Sequence, residues 1–264
     1  MGSEAGGRAS ASRFPERTMA TGARPALFLS DLHLSPDRPA AAAAFRAFCA
    51  GPARTASAVY ILGDLFDWWV GDDQAADPFV ATMVESLRAL SDTGVPLFVG
   101  RGNRDFLLGE RFARATGATM LPEMSVVDLA GTPTLICHGD ELCTDDAEYQ
   151  AYRARMHDPR TQARLLRLPY SVRRLIAWWL RRKSRQGKAR KSDAIMDVTP
   201  ATVADAFRRH GVDRMIHGHT HRPAVHVHEV DGTPRERHVM ADWHDHGHYL
   251  AVDADGVHVR EIAG

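Results

Sequence analysis

Five polar clusters in this sequence carry side chains that can bind metal ions, and each cluster follows a short apolar run. The seven candidate ligands are Asp31, His33, Asp64, Asn103, His138, His219 and His221. All of them are oxygen or nitrogen donors and none is a cysteine, so a closed structural zinc site is excluded. Such a set predicts a hydrolytic centre in which two ions, about 3.5–4 Å apart, activate water and hold a phosphate.

Each candidate ligand also has an ordinary interpretation when it is taken singly. Asp31 and His33 could be a turn pair, Asn103 a turn residue after glycine, and any one histidine a surface or satisfied core residue. Asp64 has a more specific use, because Gly63 before it lets the backbone approach an ion and a carboxylate can bridge two cations. The joint occurrence of all five clusters favours the metal site.

Short apolar runs without alternation predict strands that are buried on both faces. They lie at 26–30, 59–62, 96–99, 134–137 and 214–216, and helical patterns lie between them at 39–50, 78–93, 107–116 and from Thr199 to Gly211. This alternation predicts α/β layers, whose ligands sit beyond the carboxyl ends of the strands, where all five clusters fall. Later runs at 224–230, 235–241, 249–252 and 257–262 predict antiparallel strands that form a second sheet.

The composition is that of a folded chain of one domain with an insertion, or of two domains. The 264 residues include 33 basic and 33 acidic side chains. Residues 1–24 are expected to be a flexible tail without a secretory signal, and no apolar run approaches the roughly 18 residues that span a bilayer. Cys49, Cys137 and Cys143 lack metal-type spacing and are expected to be reduced thiols.

The order and the residues of these clusters resemble the motifs of the calcineurin-like binuclear metallophosphoesterases. Within that family they resemble those of the UDP-2,3-diacylglucosamine hydrolases of Gram-negative lipid A synthesis. The motifs are LSDLHLS at 29–35, GDLFDWWVGD at 63–72, GNRDF at 102–106, HGDELCTDD at 138–146, IMDV at 195–198 and IHGHTHRP at 216–223. The resemblance implies an α/β four-layer sandwich, with two central sheets flanked by helices. It also implies one domain over residues 25–264 that includes a helical cap insertion at about 147–198.

The resemblance also implies how the ligands and the reaction are arranged. One ion would be held by Asp31, His33, Asp64 and His221, and the other by Asp64, Asn103, His138 and His219. Both ions would most often be manganese in this family. The catalytic residues would be Arg104, Asp64, Asn103 and His138. A metal-activated water would attack the α-phosphorus of UDP-2,3-diacylglucosamine and release UMP and 2,3-diacylglucosamine 1-phosphate (lipid X). The alternative is another binuclear phosphoesterase that acts on a soluble nucleotide or phosphodiester.

Several further residues are expected around the reacting phosphates. Arg104 can fork to phosphate oxygens and stabilise the transition state, although a structural pair with Asp105 is the alternative. His217 and Asp140 are candidates for orienting ligand imidazoles. The resemblance maps substrate contacts to Asn103, Arg104, Asp146, Ser184, Lys188, Lys191 and His219. Lys188 stands where the family pattern has asparagine.

The segment from Arg164 to Lys191 is strongly basic, with eleven Arg or Lys residues and no acid. An apolar helix face is formed by Val172, Leu175, Ile176, Trp179 and Leu180. Two compatible interpretations remain open. In the first, this helix binds the surface of an anionic bilayer. In the second, it is a cap helix whose apolar stripe packs on the catalytic layer while its arginines are solvated. A nucleic-acid surface is disfavoured. The resemblance implies acyl-chain binding under the cap and peripheral association with the cytoplasmic face of the inner membrane, without an obligate protein partner.

Overall fold

The computed structural model describes residues 24–188, 197–243 and 247–262, with the backbone alone for 183–188. Apart from Arg24, the tail expected at 1–24 lies outside these residues. The eleven strands are β1 (Ala26–Leu29), β2 (Ala58–Ile61), β3 (Leu97–Val99), β4 (Thr119–Met120), β5 (Met124–Leu129), β6 (Thr132–Cys137), β7 (Arg214–His217), β8 (Ala224–Val230), β9 (Thr233–Val239), β10 (His248–Asp253) and β11 (Gly256–Glu261). The seven helices are α1 (Pro39–Ala50), α2 (Pro78–Ser91), α3 (Glu110–Thr116), α4 (Ala147–His157), α5 (Pro159–Leu166), α6 (Tyr170–Lys188) and α7 (Pro200–His210).

The strands form two sheets whose inner strands are parallel. The first sheet has the order β11-β10-β1-β2-β3-β4, and the second has the order β5-β6-β7-β9-β8. Strands β1 to β4 are mutually parallel, as are β6, β7 and β9. Antiparallel strands β11 and β10 complete one edge of the first sheet, and β5 and β8 complete the edges of the second. The carboxyl ends of the parallel strands therefore meet at one rim.

Three separate apolar cores show that the sheets and helices are stacked in four layers. Between the sheets, the ring of Tyr60 stacks on Phe28 at 4.7 Å and on Phe98 at 4.8 Å, and Ile136 and Ile216 belong to the same cluster. The outer face of the first sheet packs on α1, α2 and α3. The outer face of the second packs on α7. The expected sandwich of two central sheets flanked by helices is confirmed.

The C-terminal strands correct one expectation, because they do not form a sheet of their own. The hairpin β8–β9 joins the second sheet, whereas the hairpin β10–β11 joins the first beside β1. The hydrophobic pattern of a segment shows that it is extended but not which strand it pairs with. The sequence therefore cannot predict which of these strands joins which sheet. Strands β4 and β5 were not predicted either, because the first has two residues and the second has exposed positions along an edge.

Helix α3 starts three residues later than predicted. The carboxylate of Asp72 accepts hydrogen bonds from the backbone N–H groups of Gly109, Arg111 and Phe112, at 3.0, 2.9 and 3.1 Å. Because Asp72 lies 37 residues before Gly109 in the chain, the sequence next to the helix does not show where it begins. Asp72 thus fixes where the helix after the Asn103 loop begins.

Helices α4, α5 and α6 occupy the segment expected to be the cap insertion, and α6 contacts the loop after Asp64 through a buried arginine. Arg173 is 6% exposed, and its guanidinium contacts the Val70 carbonyl and the Asp73 carboxylate. Leu175 and Trp179 are 64% and 55% exposed. The interpretation in which the apolar stripe packs inward and the arginines are solvated therefore fails at these three positions, whereas Ile176 and Leu180 are half-buried and Arg174 is exposed. Arg173 is drawn inward by the acidic side chain of Asp73.

Within the described parts of the chain, no helix combines the length and the apolar character that are needed to cross a bilayer.

Candidate metal centre

The strand ends bring all seven predicted ligands together at the rim where both sheets terminate. Asp31 and His33 follow β1, Asp64 follows β2, and Asn103 follows β3 in the first sheet. The second sheet contributes His138 after β6, and His219 and His221 after β7. A hydrogen bond joins the two sheets at this rim, since the N–H of His219, after β7, donates to Oδ2 of Asp31, after β1, at 2.8 Å.

The ligands form two groups with Asp64 between them. In the His219 group (Asn103, His138 and His219), Oδ1 of Asn103 lies 3.3 Å from Nε2 of His138 and 3.1 Å from Nδ1 of His219. In the His221 group (Asp31, His33 and His221), ligand atoms of all three residues lie within 4.8 Å of one another. Asp64 faces both groups, with Oδ2 at 3.8 Å from Nδ1 of His33 and Oδ1 at 3.9 Å from Nε2 of His138.

Five of the candidate ligands have a backbone conformation that residues other than glycine rarely adopt. Their φ angles are +56° at Asp31, +49° at His33, +52° at Asp64, +67° at His219 and +55° at His221. Of the described residues besides glycine, the only others with positive φ are Ala130 and Asp231, which precede glycine in hairpin turns. Such strain persists only where surrounding contacts enforce it, and it concentrates at functional sites.

Two glycines make room for the carboxylates. A methyl group added at Gly102 would overlap the carboxylate of Asp64, and one added at Gly218 would overlap that of Asp31. Neither glycine has a positive φ, so backbone freedom is not the reason for glycine here. Glycine is needed because a carboxylate lies against its Cα. The glycines that accompany these ligands in the sequence motifs therefore have a steric reason.

The charges of this rim fit divalent cations. Asp31 and Asp64 are 0% and 2% exposed, and burial together with the neighbouring carboxylates raises the pKa of Asp64 to about 7. Burial lowers the pKa of His33 to about 3, so its imidazole is neutral and able to coordinate. Its buried Nδ1 has no hydrogen-bond partner within the protein. An unpartnered imidazole nitrogen beside paired buried carboxylates is the environment that a cation satisfies.

Some residues expected to assist the site have other contacts. The Asp105 carboxylate accepts from the N–H groups of Gly102 and Leu65, both at 2.8 Å. It therefore shapes the turn rather than serving chiefly as the partner of Arg104. Asp140 accepts from the Tyr149 hydroxyl at 2.8 Å and from Nε of Arg153 at 2.9 Å, so it anchors α4.

The remaining predicted residues are placed as follows. The backbone N–H of Arg104 donates to Oδ1 of Asp64 at 2.7 Å, which puts Arg104 directly beside the centre. Asp146 caps α4 by accepting from the N–H of Tyr149 at 3.0 Å. The side chains of Ser184 and Lys188, and all of Lys191, lie outside the described residues.

Two residues at the site were not predicted from the sequence. Oδ2 of Asp242 lies 3.2 Å from Nδ1 of His221, and the ring of Tyr149 stacks on that of His219 at 5.8 Å. Asp242 follows β9 at the same rim, so the strand-end argument that selected the other residues could have found it. Tyr149 comes from the helical insertion, and no sequence signal shows which face of α4 meets the rim.

The chain is similar to known proteins over most of its length. A family model described as calcineurin-like phosphoesterase matches residues 24–223. A relative from Edwardsiella ictaluri, named UDP-2,3-diacylglucosamine hydrolase, is 48% identical over 89% of this chain and 91% of its own length. A protein of the same name from Escherichia coli is 50% identical over 88% of this chain and 96% of its own.

Solved structures give a weaker likeness. The Escherichia coli phosphoesterase Yfce has a TM-score of 0.44 and 15% identity, covering 91% of this chain and 97% of its own. The family match extends from the residues before β1 to the loop after His221, and the sequence relatives cover most of the chain. The chain therefore belongs to the calcineurin-like phosphoesterase family.

Proposed function

We propose that this protein hydrolyses the pyrophosphate of UDP-2,3-diacylglucosamine and releases UMP and 2,3-diacylglucosamine 1-phosphate. The observation that carries the proposal is the pair of ligand groups with the buried Asp64 carboxylate between them. Relatives named for this substrate match along nearly the whole chain. The rim has the donors for two cations, and a pyrophosphate presents the anionic oxygens that such a centre binds.

In this proposal the His221 group binds one cation, the His219 group binds the other, and Asp64 contacts both. The bound pair would supply a water of lowered pKa and neutralise the charge of the reacting phosphate. Carboxylate, amide and imidazole donors without thiolate suit manganese, which we propose as the resident ion. Asn103 contributes a neutral oxygen, so the His219 group adds no negative charge that would repel the substrate.

Arg104 is proposed to hold the phosphate oxygens during the reaction. Its backbone N–H is bound to Asp64, so its guanidinium starts from a fixed point at the edge of the centre. Arginine keeps its charge at any working pH and can donate two parallel hydrogen bonds to a phosphate. Attack at the α-phosphorus releases a phosphate monoester, which needs less proton donation than an alkoxide leaving group.

The substrate contacts are proposed from the family resemblance. Asn103, Arg104 and His219 lie at the centre, and Asp146 is the N-cap of α4. Ser184, Lys188 and Lys191 are proposed to reach the nucleotide or glucosamine from the end of the insertion.

The insertion is proposed to bind the acyl chains and the anionic surface of the inner membrane on its cytoplasmic side. In support, α5, α6 and the turn between them expose apolar side chains: Leu166, Leu168, Val172, Leu175, Trp178 and Trp179. Tryptophan beside arginine suits the boundary between headgroups and acyl chains. For example, the guanidinium of Arg182 lies 5.8 Å from the ring of Trp178.

A direct test compares two substrates with purified protein and manganese. The acylated UDP-glucosamine should be converted to UMP and the sugar 1-phosphate, and in ¹⁸O-labelled water the label should enter UMP. The deacylated counterpart should react much more slowly. Equal turnover of both would contradict the lipid assignment and favour the alternative, a phosphoesterase for soluble nucleotides.

A further inference from the structure

A buried arginine connects two histidines behind the candidate metal centre. Arg237 lies on β9 with 4% of its surface exposed. Its Nη1 is 3.0 Å from Nε2 of His217 on β7, and its Nε is 3.0 Å from Nε2 of His228 on β8. Strand β9 lies between the other two in the sheet. One guanidinium therefore links the side chains of three adjacent strands.

The arginine fixes which nitrogen of His217 carries the proton. A guanidinium can only donate hydrogen bonds, so Nε2 of His217 must accept and the ring proton must sit on Nδ1. Nδ1 lies 2.8 Å from the carbonyl oxygen of Gly218 and donates to it. The ring has no exposed surface. A methyl group at Gly139 would come within 2.6 Å of Nδ1, so the ring also packs beneath the turn that follows His138.

The carbonyl held by His217 belongs to the peptide unit that leads into His219. The N–H of that same peptide donates to Oδ2 of Asp31 at 2.8 Å. Because a peptide unit is planar, contacts at its oxygen and at its N–H together fix its orientation. That orientation holds His219 at its φ of +67° and aims its ring toward Asn103.

We propose that Arg237 is a positioning residue for the His219 group, acting through His217 and the Gly218 peptide. The inference rests on the proposed metal centre and deepens it. Without the arginine, the proton of His217 is free to move to Nε2, and the Gly218 carbonyl then loses one of its two donors and keeps only the N–H of Thr220, at 2.8 Å. His219 can leave its strained conformation, which weakens the cation site that it shares with Asn103 and His138. In the His221 group, Asp31 would lose at most one donor, the N–H of His219, while its other oxygen still faces His221, and His221 keeps its contact with Asp242, so this group should keep its cation.

The test is a calorimetric titration of metal-free protein with Mn²⁺. The unaltered protein should bind two ions. Arg237→Met should weaken one site by about 10–100-fold and leave the other within about twofold, which is the range for partners that orient metal ligands. Its binding curve should resemble that of Asn103→Ala, which removes a ligand of the same group, and not that of His33→Ala. Arg237→Lys keeps a single donor and should lie between Arg237→Met and the unaltered protein.

Arg235→Met is the matched control. Arg235 lies two residues earlier on the same strand, and its Nη1 donates to the Val212 carbonyl at 2.9 Å, away from the centre. It should leave both affinities unchanged. The inference is overturned if Arg237→Met binds both ions normally, if it loses both equally, or if Arg235→Met behaves in the same way. Failure of the unaltered protein to bind two ions would instead contradict the proposed metal centre.

A second measurement needs no variant, so it decides the matter even if Arg237→Met does not fold. Imidazole ¹⁵N spectra of the unaltered, metal-free protein should show His217 protonated at Nδ1 and unprotonated at Nε2. A ring proton on Nε2 would be incompatible with donation from Arg237 and would overturn the inference.

Discussion

At the residue scale, the candidate centre is built from backbone conformations that its side chains disfavour. Five left-handed residues each cost on the order of 1–3 kcal/mol, and the hydrogen bonds of Asp31, Asp105 and the Gly218 peptide hold them in place. The surrounding polar contacts therefore contribute to holding the conformation of this rim.

Asp64 is the residue on which both ligand groups depend. Asp64→Ala removes the carboxylate that faces them both, so we expect kcat/KM to fall by at least about a thousandfold, which corresponds to about 4 kcal/mol of lost transition-state stabilisation. Bound metal should fall to one ion or none. Asp92→Ala, which removes an exposed carboxylate paired with Arg88 on α2, is the control and should change neither. Full activity in Asp64→Ala would refute the two-ion proposal.

Asp242 should matter through His221. Asp242→Asn keeps the size of the side chain and removes the charge that faces Nδ1 of His221, so Mn²⁺ affinity at one site should fall by about 10–100-fold. Calorimetry should show the other site unchanged. An unaltered binding curve would mean that the 3.2 Å contact does not support the ligand.

How far the sequence predicts this centre depends on the kind of contact. Ligands at strand ends could be predicted, because the apolar run and the polar cluster are adjacent in the chain. Arg237 and Tyr149 could not, because each reaches the centre across elements that are distant in sequence, and neither lies in a motif. Asp242 is harder to predict than the ligands. It follows a strand as they do, but it is a single carboxylate outside any of the five polar clusters.

At the element scale, α6 shows how a charged loop can draw arginines of an amphipathic helix inward. The stripe is compatible with inward packing and with a bilayer-facing surface, and Asp67 and Asp73 beneath the helix pair with Arg181 and Arg173. In each pair one partner is largely buried, Arg173 in the first and Asp67 in the second, and leaving that charge desolvated without its partner would be costly. The helix consequently presents Leu175 and Trp179 outward.

The outward face of α6 should bind anionic vesicles. We expect the protein to float with phosphatidylglycerol-containing liposomes at low salt and to bind less at high salt, because the basic segment is screened. Leu175→Asp should reduce flotation. Val225→Asp, at a position on β8 that is 59% exposed, is the matched control and should not. Absence of binding at low salt would contradict the membrane proposal.

At the scale of the whole molecule, the two-sheet sandwich buries the three cysteines completely. Cys49, Cys137 and Cys143 are free and buried, and burial raises the pKa of both Cys49 and Cys143 to about 12. Since the thiolate is the reactive form, a thiol reagent should label none of them in the native protein. Three thiols should react after denaturation. Rapid native labelling would show that a core opens readily.

The layer order follows from sequence, but the assignment of strands to sheets does not. Buried apolar runs define β1, β2, β3, β6 and β7, which hold the ligands. The β10–β11 hairpin crosses to the first sheet and places Val257 against the inter-sheet core, a choice that depends on long-range packing rather than on local pattern.

Whether this rim holds a pair of divalent cations can be measured by elemental analysis. Active protein, purified without chelators and saturated with manganese, should contain two metal ions per chain, as a two-ion hydrolytic centre requires. One ion or fewer per chain in fully active protein would contradict the account.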